Sequence, residues 1–306
     1  MKFLVLLNGS AGTLSASRAG EERRRIAAAL GARGVEADVR TIDPGHLEST
    51  SRDAATAGSG FDAVVAGGGD GTLNAVASGL AGTGKALGVL PLGTYNHFAK
   101  DMNVPLDLDG AVAALVGGSA RDVDVGEVNG RLFLNFSGVG LHPRVVRHRE
   151  AQRSARGRNK FIALAVALFR VLRHPPVMRV RIDFPRGSVR RLTPSVIVCN
   201  NPHQMQVFGV QNLSYSDRGL LNVYLARSTT WLGLTWLVVR ALFRRLDNAK
   251  NFESMALPEL AISTRGRTAR VSVDGEVVDM ETPLRYRVRR GGLKVIVPGE
   301  VAEAAR

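Results

Sequence analysis

Three apolar segments in the first hundred residues each give way to a glycine-bearing polar turn and then to a helical pattern, and this recurrence constrains the fold more than any other feature. The clearest instance is Phe61–Ala66, which passes into Gly68-Gly69-Asp70-Gly71-Thr72-Leu73-Asn74. Glycines there allow positive φ and a close approach of backbone N–H groups to an anion, and a helix starting near Thr72 points its positive end at the same place. A phosphate-binding turn is the chemical reading; an ordinary strand-to-helix connection is the plain one. Asp70 and Thr72 favour the phosphate. A carboxylate suits an anion site when it faces a metal ion on the phosphates, and a hydroxyl can donate to a phosphate oxygen or cap the helix.

The other two instances flank this one. Met1–Leu7 reads as a buried strand that breaks at Asn8-Gly9-Ser10-Ala11-Gly12-Thr13, after which a charged helix is predicted to about Leu30. Ala86–Leu90 ends in Pro91-Leu92-Gly93-Thr94-Tyr95-Asn96 before a further helix-like segment. Parallel strands alternating with helices align such loops along one edge of a sheet, where ligands of open α/β folds bind. Residues 1–124 are therefore predicted to form an α/β nucleotide-binding domain with a parallel-type sheet.

From about Asp124 the pattern changes to hairpins. Val125–Val128 and Leu132–Phe136 flank Asn129-Gly130-Arg131, and Asn-Gly is a strong tight-turn signal. Further strands are predicted at 178–184, 190–199, 219–226, 260–263, 268–273 and 284–297. Residues 125–283 thus read as a second, largely antiparallel β domain. Cys199, the chain's one cysteine, lies in an apolar run and reads as a small core side chain.

The pairing of GGDGTLN with PLGTYNHFAKD resembles the diacylglycerol kinase catalytic domain of bacterial soluble lipid kinases, relatives of the sphingosine kinases. The resemblance runs over nearly the whole chain. It implies transfer of the ATP γ-phosphate to a lipid hydroxyl with Mg²⁺, on a two-domain fold in which the last strands, 284–306, return to the first domain. Residue by residue it implies nucleotide contacts at Asn8, Ser10, Ala11, Gly12, Thr41, Gly68, Gly69, Asp70, Gly71, Thr72, Asn74, Gly93, Thr94 and Asn96. It gives Asp274 and Glu276, in Val273-Asp274-Gly275-Glu276, the catalytic roles, with Asp274 taking the proton of the lipid hydroxyl and Glu276, Asp70 and Mg²⁺ managing the triphosphate. From the tetrapeptide alone, a plain hairpin turn is the simpler reading. Asp70 and Asp217 are the candidate metal ligands.

The chain departs from the family pattern at three places. His97 stands where an Asp is frequent, and reads as a helix-start residue, a neutral hydrogen-bonding group or a phosphate contact. Ala75 replaces a Glu. Arg218 occupies the position of a Mg²⁺-binding Asp, with Asp217 one residue earlier, and a guanidinium there would repel or replace the ion.

Charge and length narrow the remaining classes. The chain carries 41 Lys+Arg against 27 Asp+Glu, a net +14. Basic residues cluster over 144–160, before the apolar window 161–172, and at the end of Trp231–Arg245. Both segments suit an anionic membrane surface, or a packed helix with a solvated basic end. Neither apolar window reaches the roughly 20 residues of a spanning helix. Aromatics make up 6% and no nucleic-acid reading motif is present, so no nucleic-acid partner is expected. The N-terminal apolar stretch continues into the first loop and lacks a basic leader, so a cytoplasmic protein, peripheral at the inner membrane face, is expected. Gly79–Lys85 has P-loop spacing but precedes its strand and lacks the Ser/Thr, and reads as a helix end. The histidines lack zinc-like spacing. The alternatives are a nucleotide-binding homologue without turnover and a kinase of another acceptor, NAD among them, whose site also uses a GGDGT loop.

Overall fold

The structure is a computed structural model that describes residues 1–9, 16–154, 175–200, 219–243, 245 and 252–299. The chain divides into two compact units, Met1–Val125 with Arg290–Arg306, and Gly126–Arg289.

The first unit alternates strand and helix: β1 Lys2–Asn8, α1 Ala16–Gly31, β2 Glu36–Ile42, α2 Leu47–Ala54, β3 Ala63–Gly68, α3 Asp70–Leu80, β4 Ala86–Pro91, α4 His97–Asp101 and α5 Leu108–Gly117. Its strands run parallel in the order β2-β1-β3-β4. The central ones are apolar without alternation because a parallel sheet with crossover helices is buried on both faces. Phe3, Leu4, Val5, Leu6, Val64 and Val65 are all buried. Ile26 and Leu30 of α1 lie in the same core. Burying each such side chain contributes about 1.5–3 kcal/mol.

The second unit begins at the end of β5, Ser119–Val128. It continues with β6 Arg131–Phe133, β7 Phe136–Gly140, α6 Leu141–Ser154, β8 Met178–Phe184, β9 Gly187–Thr193, β10 Ser195–Cys199 and β11 Leu221–Ala226. Then follow α7 Trp231–Leu242, β12 Phe252–Leu257, β13 Glu259–Ser263, β14 Thr268–Val273, β15 Glu276–Glu281 and β16 Leu284–Val297. One antiparallel sheet runs β12-β11-β10-β7-β14-β15; in the other, β13 pairs with the first half of β16 and with β8, and β8 with β9. Val128, Phe133, Val180, Val198, Val223 and Tyr286 are among the side chains of the core they share. The second half of β16 belongs to the first unit, where Lys294 and Val295 pair with Ala86 and Leu87.

The fold is thus an α/β unit with a parallel sheet plus a largely antiparallel β unit. Several strand predictions shift in detail. The run 190–199 is two strands rather than one: Pro194 donates no ladder bond, and the chain leaves the β8 pairing for the β7–β11 pairing there. The run 132–136 is also broken, because the amides of Leu134 and Asn135 turn to the Asp274 carboxylate instead of a neighbouring strand. Phe61–Ala66 moves two residues on, to Ala63–Gly68. Asn129 and Gly130 both take positive φ, as a tight two-residue hairpin requires. Gly79–Lys85 closes α3 and connects to β4. Cys199 is buried.

Candidate functional site

In the first unit, parallel pairing brings the ends of β1, β2, β3 and β4 to one edge of the sheet. Two loops interlock there. Leu92 N–H donates to Gly68 O at 3.1 Å, and a Cβ on Gly93 would sit 2.4 Å from the Gly69 Cα. Only glycine at 93 allows that approach. A Cβ on Gly68 would likewise lie 2.5 Å from Thr72 Oγ1. Asn8 Nδ2 donates to the same Oγ1 at 3.2 Å, which ties the first loop to the second. Thr72 is buried, so its hydroxyl serves this packing.

The start of α3 is shaped for an anion. Its N-cap, Gly69, brings no side chain, and the helical ladder opens with Leu73 N–H to Gly69 O at 3.0 Å. The amides of Asp70, Gly71 and Thr72 precede that ladder, at the positive end of the helix. Gly71 and Thr94 are exposed beside it, and Asn74 stands one turn behind Asp70. Thr41 is exposed on β2, opposite Leu7.

Asn96 works on the loop itself. It holds φ 50°, its Oδ1 accepts from Gly93 N–H at 3.0 Å, and its Nδ2 donates to Pro91 O and Gly93 O at 3.0 and 2.9 Å. It is the strut that gives the second loop its shape. His97 opens α4, with its ring stacked on Tyr95 at 5.7 Å. Ser10, Ala11, Gly12 and Asp217 lie outside the described residues, as do Arg218, the apolar window 161–172 and much of the basic run before it.

One carboxylate escaped the sequence reading. Asp101 closes α4, four residues after His97, with Oδ2 enclosed and without a hydrogen-bond partner among the described residues. Burial, and then the nearby charge of Asp70, push its pKa up to about 7. Asp70 Oδ1 accepts from Phe98 N–H at 3.3 Å, which holds α4 close to the phosphate loop. The signal was present in the spacing: an i, i+4 pair shares a helix face, so Asp101 returns to this region a carboxylate that His97 lacks. Two neighbouring carboxylates suit a hard cation. Among the described residues no three metal-ligating side chains converge, so Mg²⁺ here would take its other ligands from phosphate and water, as it commonly does.

In the second unit Asp274 is a hairpin-turn residue. It joins β14 to β15 with φ 45°, followed by Gly275 at 92°. Its carboxylate organises the start of β7: Oδ2 accepts from Leu134 N–H at 2.7 Å, and Oδ1 from Asn135 and Phe136 N–H at 3.0 and 2.9 Å. Glu276, the first residue of β15, is exposed and ion-paired with Arg131. Close by, Ser272 Oγ donates to Gly138 O at 3.2 Å, so it accepts from His142 Nδ1 at 2.5 Å, and this network fixes the imidazole tautomer. The His142 ring meets Phe136 edge-on at 4.9 Å. Sequence spacing gave no hint of this pair, which β-strand register assembles from residues 130 apart.

These features define a class: an α/β unit whose glycine turns are shaped for an anion, in one chain with an antiparallel β unit. Residues 2–128 match the diacylglycerol kinase catalytic domain. A Pseudomonas aeruginosa protein named "Probable lipid kinase YegS-like" is 42% identical over 147 residues, 47% of this chain and 46% of that one. The aligned stretch thus spans about half of that relative. A protein of the same name from Pseudomonas fluorescens is 29% identical over 303 residues, 97% and 95% of the two chains. The crystal structure of a diacylglycerol kinase from Bacillus anthracis superposes with a TM-score of 0.68 at 19% identity, covering 98% of each chain, and so shares the fold.

Proposed function

We propose that this chain is an ATP-dependent lipid kinase that transfers the γ-phosphate to a lipid hydroxyl, that of diacylglycerol or a related alcohol. The observation that carries the reading is the interlocked pair of glycine loops, Gly68–Asn74 and Pro91–Asn96, within the residues that match the diacylglycerol kinase catalytic domain. The amides at the start of α3 hold the phosphates, with Asn8 and Asn96 keeping the loops in register. Asp70, with Asp101 beside it, would hold Mg²⁺, which would supply charge neutralisation at the triphosphate.

In the reaction, the lipid oxygen bonds to the γ-phosphorus, the bond from that phosphorus to the β,γ-bridging oxygen breaks, and ADP leaves. The hydroxyl proton passes to Asp274. A carboxylate is a weak base and serves by being held at the hydroxyl. Oδ2, with one of the three backbone donors against two on Oδ1, is assigned as the accepting atom. Glu276 contributes charge management from the exposed side of the same turn.

The test is transfer of labelled γ-phosphate from ATP with Mg²⁺ into organic-extractable product, using mixed micelles of candidate lipids. Asp274→Asn, verified as folded and ATP-binding, is assayed alongside. Label in one lipid, lost in the variant, supports the reading. ATP binding without labelled lipid supports a homologue without turnover, and NADP formation supports a NAD kinase.

A further inference from the structure

The described part of the second unit carries an apolar face that packing leaves outside. Helix α7 is held by its inner side: Leu234 and Leu237 are buried against Cys199 and Tyr224, with Val238, Ala241 and Phe252 around them. Its start is fixed as well. Thr230 accepts from Gly233 N–H at 3.3 Å, and a Cβ on Gly233 would lie 1.9 Å from Ser228 Oγ, so the entering chain is pressed against the first turn. The helix cannot roll to hide its other side without undoing these contacts.

That other side exposes Trp231, Leu232, Trp236 and, just past the last turn, Phe243, at 45%, 63%, 57% and 71%. Leu232, Trp236 and Phe243 follow at i, i+4 and i+11, one stripe along the helix. Large side chains of this kind exposed by about half present on the order of 400 Å² of apolar surface, the size at which a patch on a soluble protein marks a contact. Trp231 and Trp236 are also the only tryptophans in the chain.

We propose that this face of α7 docks the protein on an anionic bilayer surface. Charge selects the occupant: the sequence from Arg227 to Arg245 holds four arginines and no carboxylate. Tryptophan selects it too, because an indole with one apolar and one hydrogen-bonding edge is at home in the headgroup region. At 12 residues α7 is about 18 Å long, well short of a bilayer core of about 30 Å, so it lies in the interface plane. Among the described residues no helix is long and apolar enough to cross. The inference rests on the lipid-kinase reading for its choice of a membrane, but docking is measured without phosphate transfer.

The two tryptophans make the chain its own reporter. The full-length protein is titrated with vesicles of phosphatidylcholine alone and of phosphatidylcholine with phosphatidylglycerol, plain and brominated in the upper acyl chain. Docking gives a blue-shifted emission and quenching by brominated lipid on the anionic vesicles, weakened by salt. Leu232→Glu/Phe243→Glu keeps both reporters and lowers vesicle partitioning about tenfold or more. An unshifted spectrum with anionic vesicles overturns the proposal. So does a shift that follows protein concentration without lipid, which assigns the face to a second copy of this chain. Transfer to a soluble short-chain diacylglycerol, assayed without vesicles, reports on the kinase reading separately.

Discussion

Asp274→Asn is the obvious variant for a proton acceptor, and the structure gives it a second effect that can be weighed. The carboxylate holds three backbone N–H groups at 2.7–3.0 Å. An amide oxygen can keep the two donors on Oδ1, but its NH₂ then faces Leu134 N–H, donor against donor. Losing that charge-assisted bond and weakening the other two costs about 3 kcal/mol. Asp274→Ala gives up all three and places a non-glycine, non-Asx residue at φ 45°, for about 5 kcal/mol in total. For a unit of this size, each kcal/mol lowers the melting temperature by roughly 2–4 °C, so Asn should melt roughly 6–12 °C early and Ala earlier still. Calorimetry or circular dichroism with ATP absent measures this apart from turnover. If both variants melt within a degree of the parent, the carboxylate does not organise the Leu134–Phe136 turn and the structural reasoning is wrong.

Three further outcomes are expected. Gly93→Ala forces the two loops apart, since its Cβ would meet the Gly69 Cα at 2.4 Å, and should weaken nucleotide binding at least tenfold by equilibrium titration; Gly71→Ala, whose Cβ meets nothing within 4 Å, should preserve the fold. Asp101 is held protonated in the fold, at about 7 against an ordinary 3.8, so its contribution is complete below about pH 4 and is lost as pH rises through 7, amounting to about 4 kcal/mol; Asp101→Asn should flatten that part of the metal-free stability profile. Asn96→Ala removes three hydrogen bonds from a buried strut and should lower stability by about 2–3 kcal/mol, read by urea denaturation, and weaken nucleotide binding with it.

Where one chemical signal dominated, the sequence was easily read. The parallel strands of the first unit are buried on both faces, so their apolar runs stand out, and glycine turns at their ends mark the loops. Thr268–Val273 and Leu284–Val297 were placed to the residue because hairpin turns and β-branched alternation bound them. By contrast Glu36–Ile42 and Phe252–Leu257 are half-polar edge strands with little hydrophobic contrast, and escaped as strands. The site divides in the same way. Asp70 announced itself through its glycine neighbours, whereas Asp101 and the His142–Ser272 pair acquire their chemistry from burial and register, which no local pattern encodes. Asn96 was expected at the nucleotide, yet its amide bonds are made to its own loop; short polar side chains in glycine turns commonly bond nearby backbone, and composition cannot separate that use from ligand contact.

The long strand β16 sets an order of events at the ribosome. Its second half supplies Leu293 and Val295 to the first unit's core and hydrogen-bonds the edge of β4, which is synthesised some two hundred residues earlier. Until residues 290–297 emerge, the amino-terminal unit has an unfinished sheet with an open, apolar edge, a surface prone to wrong pairing. The segment made first, Met1–Val125, is therefore among the last to finish folding, and a stall or truncation just before Arg290 would leave that edge exposed.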